Sequence, residues 1–372
     1  DLHWNFETDL PNGDHPEKLD MHGTPVAGLA VAQANNNRGV AGAAPDAQFA
    51  SWVIYKTNSA GFVNSNQLAK MFSKYGLRVE LKRELGWATI RDKIIYHDLD
   101  AAHAVAGMPF GATLGVGSPA CDCLTGLVLN QHGNAITIAN DLWKIGVCDS
   151  GALREEIIRR GPDRLLTFGI VSPFSSHNFL LRDWLSKARI NPERQVQIVV
   201  VPPPQMVTNL KAGHLDGFCV GEPWNSVATQ SGIGRCLVSS AQLAPGHPEK
   251  VLMTRRDFAQ KHPTEHLALV AATLEACAFC QQPANHNRVS ATLARSEYVG
   301  VQERLLLRGI KGELLFGGKD KTPIPDFTIF HSANANEPSA DKAAWVLQHL
   351  RASGRLKDST RVTPALGQCV FR

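Results

Sequence analysis

The sequence predicts an α/β fold with largely parallel sheets over most of its length. Two apolar runs rich in β-branched residues, LLTFGIV at 165–171 and VQIVVVP at 196–202, are typical of buried strands. The stretches HNFLLRDWLSKARI at 177–190 and MVTNLKAGHL at 206–215 have helical spacing. Strands that alternate with helices along a chain are typical of α/β architecture.

Further elements follow from periodicity and from capping residues. LRVELKREL at 77–85 alternates apolar and charged residues, which predicts a strand, and TIRDKIIYHD at 89–98 predicts a helix. SADKAAWVLQHLRASG predicts a late helix that Ser339 caps and Gly354 ends. TEHLALVAATLEACAF at 264–279 predicts another helix. One face of that helix would carry Leu267, Val270, Ala271, Leu274 and Ala278.

The composition excludes several classes of protein. The chain has 372 residues, 44% of them hydrophobic, and a net charge of +4 without any run of Lys or Arg, so we expect no direct nucleic-acid partner. No apolar stretch reaches the length of a membrane span. The start, DLHWNFETDL, has neither an initiator Met nor the features of a signal peptide, so we interpret the chain as a fragment or a processed product.

The eight cysteines predict buried thiols rather than a metal site. Most of them lie in apolar surroundings, and Cys277 and Cys280 form a single C-x-x-C without a second pair or histidines at ligand spacing. We therefore expect no metal and no cofactor. The cysteine usage favours a reducing compartment, which would make the chain cytoplasmic rather than periplasmic or membrane-anchored.

Residues 1–57 predict an incomplete domain of another kind. The motif HGTPVAG, which begins at His22, resembles the histidine segment of subtilisin-like serine proteases. That family requires Asp, His and Ser in this order, but the one Asp-Ser-Gly, at Asp149, follows His22, and the Gly-Thr-Ser-x-Ala signature is absent. We therefore expect a subtilase-like fragment in which His22 has no catalytic partners.

Three stretches of the remaining chain have features of a small-anion site. In LDGFCVGEPWNSVA, Gly221 allows the backbone to approach a ligand closely. In SSHNFLL, Ser175 or Ser176 can cap a helix whose N-terminus, next to His177, offers free N–H groups. In GHPEKVLM, Lys250 immediately precedes an apolar strand.

Six motifs together resemble the nitrate- and bicarbonate-binding proteins of the NrtA/CmpA/NasS type. They are ELGWATIRDKI, CLTGLVLNQHGNAIT, PFSSHNFLLRDWL, VVVPPPQMVTNLKAG, DGFCVGEPWNSVA and PGHPEKVLM, within residues 74–350. The resemblance implies a two-lobed periplasmic-binding-protein-like fold of type II for residues 58–372, with an anion held between the lobes. We predict lobe 1 over 58–164 and 245–372, and lobe 2 over 165–244.

The resemblance also implies a set of ligand-binding residues. Matched by motif, they are Trp87, Asn134, His177, Gly221, Glu222 and Lys250. Asn134 stands where the nitrate proteins have Gln. Because a carboxylate facing an anion would repel it, we expect Glu222 to contribute its backbone N–H or to orient Lys250 or His177. Nitrate or nitrite is favoured over bicarbonate, whose family members tend to use calcium, since the sequence has no acidic cluster that could form a calcium site.

Plainer interpretations of the same residues remain open. Taken singly, Trp87 and Trp224 are typical core aromatics, His177 a structural histidine and Lys250 a surface charge. The first strand is also open, because the family's usual start appears shortened after Gly61-Phe62-Val63. It is either supplied by FASWVIY at 49–55 or missing.

Two roles follow from the resemblance, and neither is enzymatic. One is the solute receptor of an ABC importer, which would contact the permease. The other is a cytoplasmic nitrate sensor that releases an RNA-binding antiterminator protein. The alternative function is that of a subtilisin-like protease fragment, inactive for lack of its Ser and Asp.

Overall fold

Two separate β-sheets divide the chain into two lobes. The computed structural model describes residues 48–50, 72, 74–84, 86–296, 298–316, 321–356 and 364–372. Within these residues the strands are β1 Gln48–Ala50, β2 Glu80–Leu81, β3 Ala101–Val105, β4 Cys123–His132, β5 Asn134–Ala139, β6 Leu166–Ile170, β7 Val196–Val200, β8 Gly217–Gly221, β9 Gly234–Ser239, β10 Pro248–Arg255, β11 Glu313–Leu315, β12 Lys321–Pro323 and β13 Thr328–Ile329.

Helices cover the faces of both sheets. The described α-helices are α1 Trp87–Ile95, α2 Met108–Thr113, α3 Asn140–Lys144, α4 Ser150–Arg160, α5 Ser176–Lys187, α6 Met206–Lys211, α7 Trp224–Gln230, α8 Ser240–Leu243, α9 Arg256–Lys261, α10 Pro263–Gln281, α11 His286–Leu293, α12 Glu303–Lys311, α13 Ala340–Ala352 and α14 Pro364–Val370. None of these described helices is both long and apolar enough to cross a membrane.

The two sheets are mixed, which corrects the expectation of largely parallel sheets. The first has the order β13-β4-β10-β3-β1-β2 and the second the order β7-β6-β8-β5-β9, while β11 and β12 form a small antiparallel sheet of their own. β6 runs parallel to β7 and β8, whereas β5 runs antiparallel to β8 and β9, and β10 runs antiparallel to β3 and β4. The reason is that β5 and β10 directly follow the two crossings between lobes, so each enters its sheet against the direction of its neighbours.

The chain crosses between lobes earlier than the expected boundary after residue 164. β4 ends at His132 in the first sheet and β5 begins at Asn134 in the second. Gly133 makes the connection at a φ of +90°, a conformation that glycine adopts at little cost. The polar run NQHGN at 130–134 interrupts the apolar pattern here, but such an interruption does not by itself distinguish a turn within one sheet from a crossing between two sheets.

His132 ties the outgoing crossing to the returning one. The chain returns between Leu243 and Pro248, and Nε2 of His132 accepts a hydrogen bond of 2.6 Å from the Gly246 N–H. Nδ1 of the same ring lies 2.8 Å from the Asp326 carbonyl oxygen and donates to it. One buried imidazole therefore fixes the relative position of both interlobe segments.

The segment FASWVIY contributes to the first lobe. Its first two residues, Phe49 and Ala50, lie in β1, which pairs in parallel with β2 and β3. Residues 48–50 therefore belong to the first lobe, and the expected separate unit of residues 1–57 otherwise lies outside the described residues. His22 and the stretch Gly61-Phe62-Val63 lie outside the described residues.

The helix of 264–279 is present, but a different face of it is buried. α10 buries Leu269, Ala272 and Ala276, among others, whereas Leu267 is 66% exposed. The helix carries apolar side chains on nearly all of its faces, so the periodicity of the sequence alone cannot identify the face that packs. The predicted strand at 77–85 is likewise reduced to Glu80–Leu81.

The start of α5 is packed into the first lobe. Ser175 caps the helix, since its hydroxyl accepts from the Asn178 N–H, as one of the two expected candidates. Phe174 and Phe179 belong to the hydrophobic core that surrounds β3 and α1. The Gly107 N–H donates to the Phe174 carbonyl oxygen at 3.1 Å. These contacts hold the helix N-terminus, with His177 in its first turn, against both lobes.

We predict that Gly107→Ala destabilises the protein by about 1–3 kcal/mol, as expected when a packed site is overfilled. A Cβ at this position would lie 2.5 Å from the backbone oxygen of Phe174, which cannot move without shifting α5. Gly86→Ala is the matched control, because its Cβ would meet nothing closer than 3.6 Å. Urea unfolding of the variants measures both effects. Equal stability for the two would contradict the packing described for Gly107.

Candidate anion-binding site

A cavity of about 360 Å³ lies between the two lobes. Trp87, His103 and Lys250 line it from the first lobe, and His177 and Gly221 from the second. Most of the remaining wall is apolar, and it includes side chains of α10 to α12 such as Cys277, Val289 and Ile310. A mostly apolar cavity with a few convergent polar groups is the usual form of a small-molecule site.

A β-bulge turns two neighbouring charged residues of β10 toward the same place. Successive side chains of a regular strand point to opposite faces of the sheet. The register between β10 and β4 shifts on both sides of Lys250, so Glu249 has no direct partner on β4. As a result, Nζ of Lys250 forms an ion pair with Oε1 of Glu249. The same Nζ lies 5.5 Å from the centre of the Trp87 ring.

Glu249 is a site residue that sequence reasoning missed. It is 2% exposed, and its Oε2 accepts a hydrogen bond of 2.8 Å from Nδ2 of Asn134. Its Oε1 also lies 3.3 Å from Nε2 of His177. The residue stands in the motif PGHPEKVLM, but a regular strand would have placed it opposite Lys250. The motif therefore contained Glu249, but only the bulge in the folded sheet shows that its side chain turns toward Lys250.

Asn134 links this carboxylate to His177. Oδ1 of Asn134 lies 2.9 Å from Nε2 of His177, and the side chains of both residues are buried. Because the Glu249 carboxylate only accepts hydrogen bonds, Nδ2 of Asn134 must face it and Oδ1 must face the imidazole. Asn134 therefore orients His177, and the cavity lining does not include Asn134 itself.

Burial sets the charge states of these groups. Burial lowers the pKa of His177 to about 4 and that of His103 to about 3, so both are neutral near pH 7. Burial alone would raise the pKa of Glu249, but the charge of Lys250 and the neighbouring histidines lower it to about 2. One ammonium group and two neutral imidazoles thus line the polar end of the cavity, and the buried carboxylate of Glu249 lies directly behind them.

Glu222 does not have either of the roles expected for it. Its backbone N–H donates to the Gly133 carbonyl oxygen at 3.1 Å and is not available to a ligand. Its Oε2 accepts from the Ser226 N–H at 3.3 Å, rather than contacting Lys250 or His177. Burial raises the pKa of this carboxyl to about 7. Glu222 nevertheless lines the cavity.

Gly221 and Trp87 lie where the anion hypothesis needs them. A Cβ on Gly221 would lie 3.4 Å from Oδ1 of Asn134 and 3.9 Å from Nε2 of His177, so glycine leaves the space beside them open. Trp87 begins α1, lines the cavity and lies 5.6 Å from the His103 ring. It also packs against core residues of both lobes, so its structural and ligand-facing interpretations are compatible. Trp224 similarly lines the cavity and packs on the second lobe.

The thiols near the cavity are structural. Cys277 is buried, and its Sγ donates to the Leu129 carbonyl oxygen at 3.3 Å, while Cys280 also lines the cavity wall. All eight cysteines are free thiols. Within the described part of the chain, no group of three or more His, Cys, Asp or Glu side chains is placed to hold a metal ion.

Comparison with known proteins identifies the family. Residues 56–294 match the NMT1-like family. The chain belongs to this family. Within it, the chain is one of the solute-binding proteins of the nitrate and bicarbonate type. Residues 2–94 also match the subtilase family, which accounts for the HGTPVAG motif.

Relatives and a solved structure agree with this assignment. The chain is 39% identical over 76% of its length to the nitrate import ATP-binding protein NrtC of Synechocystis, and 37% identical over the same share to the bicarbonate transport ATP-binding protein CmpC of Synechococcus elongatus. It spans 42% of the length of each. The crystal structure of the periplasmic nitrate-binding protein NrtA from Synechocystis matches with a TM-score of 0.76 and 28% identity, over 80% of this chain and 79% of that one.

The family assignment confirms the two-lobed α/β fold, and the family is one of solute-binding proteins rather than enzymes, as the sequence predicted. The sequence contains no G-x-x-x-x-G-K-[ST] phosphate loop. The relatives named for nitrate and for bicarbonate are about equally similar, so identity alone does not select the anion.

We predict that stability falls steeply as the pH decreases from about 6.5 to 4. Burial holds the pKa values of His177 and His103 at about 4 and 3, and that of His247 at about 3, so the unfolded chain binds protons in this range and the folded chain does not. Each histidine contributes up to roughly 1.4 kcal/mol per pH unit. The stabilisation is complete above the pKa of unfolded histidine, about 6.5.

Urea unfolding at several pH values measures this slope. His247→Asn should reduce it, because one buried imidazole is removed, whereas a substitution of the exposed His214 should leave it unchanged. Stability that stays constant down to about pH 5 would contradict neutral burial of the three rings.

Proposed function

We propose that the chain binds nitrate or nitrite in the interlobe cavity, as the solute receptor of an ABC importer. The observation that carries the proposal is the polar end of the cavity. There Lys250, His177 and Trp87 from the two lobes meet around Gly221, and the buried carboxylate of Glu249 orients Lys250 and His177. The motif-matched relatives and the NrtA structure support the same ligand class.

The electrostatics of this end fit a singly charged, weakly hydrated anion. An ammonium group has three donors, and Lys250 directs one of them to Glu249, so two remain for a ligand. Because the carboxylate offsets much of the lysine charge, the site attracts an anion through directed donors rather than through a large net charge. A divalent anion such as sulfate is disfavoured by the same reasoning.

The importer role has more support than the sensor role. The similar proteins are named for import and transport, and the solved relative is a periplasmic binding protein. A contact with an ABC permease is therefore part of the proposal. Release of an RNA-binding antiterminator has no counterpart among these relatives and stays a prediction from sequence. The subtilase-like match at residues 2–94 supports no protease activity, because the Gly-Thr-Ser-x-Ala signature of the nucleophile is absent.

We expect Lys250→Ala to weaken nitrate binding by about 1.5–3 kcal/mol, the usual range for a hydrogen bond to a charged group. The loss should lie at the upper end, because removal of the ammonium leaves Glu249 unpaired beside the anion. Isothermal titration calorimetry with nitrate, nitrite, bicarbonate and sulfate measures the effect. Lys144→Ala is the control. Lys144 pairs with Asp141 on an exposed surface, so this variant should bind nitrate as the unmodified chain does.

Binding of bicarbonate but not of nitrate would overturn the choice of anion and retain the receptor. Absence of heat for all four anions, in a chain whose folding circular dichroism has established, would overturn the proposed function. Nitrate binding that Lys250→Ala leaves unchanged would place the site elsewhere.

A further inference from the structure

The tautomer of His177 is fixed by its neighbours. Nε2 faces two acceptor oxygens, Oδ1 of Asn134 at 2.9 Å and Oε1 of Glu249 at 3.3 Å. The amide of Asn134 cannot be reversed, since its Nδ2 donates to Oε2 of Glu249 at 2.8 Å. Nε2 must therefore carry the proton of the neutral ring, and Nδ1 must present a lone pair.

Nδ1 of His177 has no hydrogen-bond partner within the described part of the chain. The atom is buried, in a ring whose side chain is 3% exposed and which lines the cavity. A buried acceptor without a partner is costly, and in a native protein it calls for an explanation. A ligand in the cavity is the simplest explanation, because the ring lines the cavity and both of its polar contacts lie at Nε2.

An oxyanion without a proton cannot satisfy this atom. Every oxygen of nitrate or nitrite is an acceptor, so a lone pair on Nδ1 would repel it. If Nδ1 gains a proton, the imidazolium can donate to the anion at Nδ1 and to Glu249 at Nε2. Bicarbonate differs, because its own O–H can donate to the neutral Nδ1.

We propose that nitrate binds together with one proton, which His177 takes up at Nδ1, whereas a hydrogen-bearing oxyanion such as bicarbonate binds without proton uptake. This inference rests on the proposed function. In this step a proton from solvent adds to Nδ1 and the ring becomes a cation. The complex thus gains the negative charge of nitrate and the positive charge of the imidazolium. His177 is in this way a residue that distinguishes anions by whether they carry a proton.

The charged and titratable groups around His177 are compatible with this step. Glu249 and Lys250 lie on β10, and His247 precedes that strand with its pKa lowered to about 3 by burial. The carboxylate of Glu249 stabilises the imidazolium directly. Two groups on the wall of the same cavity compete for a coupled proton: Glu222, whose pKa burial raises to about 7, and the neutral imidazole of His103, whose pKa burial lowers to about 3.

The sign of the pH dependence follows. Burial holds the pKa of free His177 at about 4, so between pH 6 and 8 the ring must gain a proton on binding. Uptake of one proton makes the dissociation constant for nitrate rise about tenfold per pH unit, so affinity should fall as pH increases.

The experiment is calorimetric titration of nitrate near neutral pH in Bis-Tris and in Tris, two cationic buffers whose ionisation enthalpies differ. The difference in heat counts the protons taken up, and we expect about one per nitrate. His177→Gln should abolish proton uptake, because an amide donates without being protonated. Glu222→Gln tests the competing carboxyl on the cavity wall and should retain the uptake, and a substitution of the exposed His214, outside the cavity, is the control.

Each outcome decides between the possibilities. Heat from nitrate binding without proton uptake would overturn the inference and leave the proposed function intact. Absence of nitrate binding would overturn the proposed function, and the inference with it. Proton uptake lost in Glu222→Gln would overturn the role of His177, as would equal uptake with bicarbonate. If His177→Gln binds no nitrate at all, uptake retained by Glu222→Gln supports the proposal.

Discussion

The buried carboxylate of Glu249 is the constraint on which the polar end of the cavity depends. A charge out of contact with water costs several kcal/mol unless it is paired and hydrogen-bonded on all sides. Glu249 obtains these partners from three elements: Lys250 on its own strand, Asn134 at the start of β5 and His177 in the first turn of α5. Since β10 belongs to the first lobe and the other two to the second, one carboxylate sets the geometry of both walls.

The packing between lobes reinforces this arrangement. Phe174 and Phe179 leave the second lobe and enter the core of the first, and Trp345 of α13 contacts the cores of both. His247 stacks on Trp345 with ring centres 5.2 Å apart, next to the crossing that His132 ties together. The two lobes therefore share part of their cores. Apolar side chains of α10 to α12 line much of the cavity, so the polar groups occupy a small part of it.

The N-terminal part of the chain shows that a segment can match one family in sequence and still form part of the fold of another. The subtilase match covers residues 2–94 and the NMT1-like match covers 56–294, so the two overlap. Strand β1, at 48–50, lies before the NMT1-like match, yet it pairs with β2 and β3 in the first lobe. A strand between two others, as β1 is, needs a suitable alternation of side chains and a suitable chain direction. The evolutionary origin of the segment does not affect this requirement.

The sequence by itself determined the fold class, five of the fourteen described helices with the N-cap serines of two of them, and the motifs that place Trp87, His177, Gly221 and Lys250 together in one family. These features depend on periodicity and on hydrogen bonds between residues close together in the chain, so the order of residues alone indicates them. Only the tertiary structure decided that Glu249 pairs with Lys250 beside the cavity, that the chain crosses lobes at Gly133, and which face of α10 is buried. A bulge depends on pairing with distant strands. The Asn134–Glu249 hydrogen bond joins residues 115 positions apart. The tautomer of His177 follows from that bond, because a proton position is set by the partners that packing brings into contact.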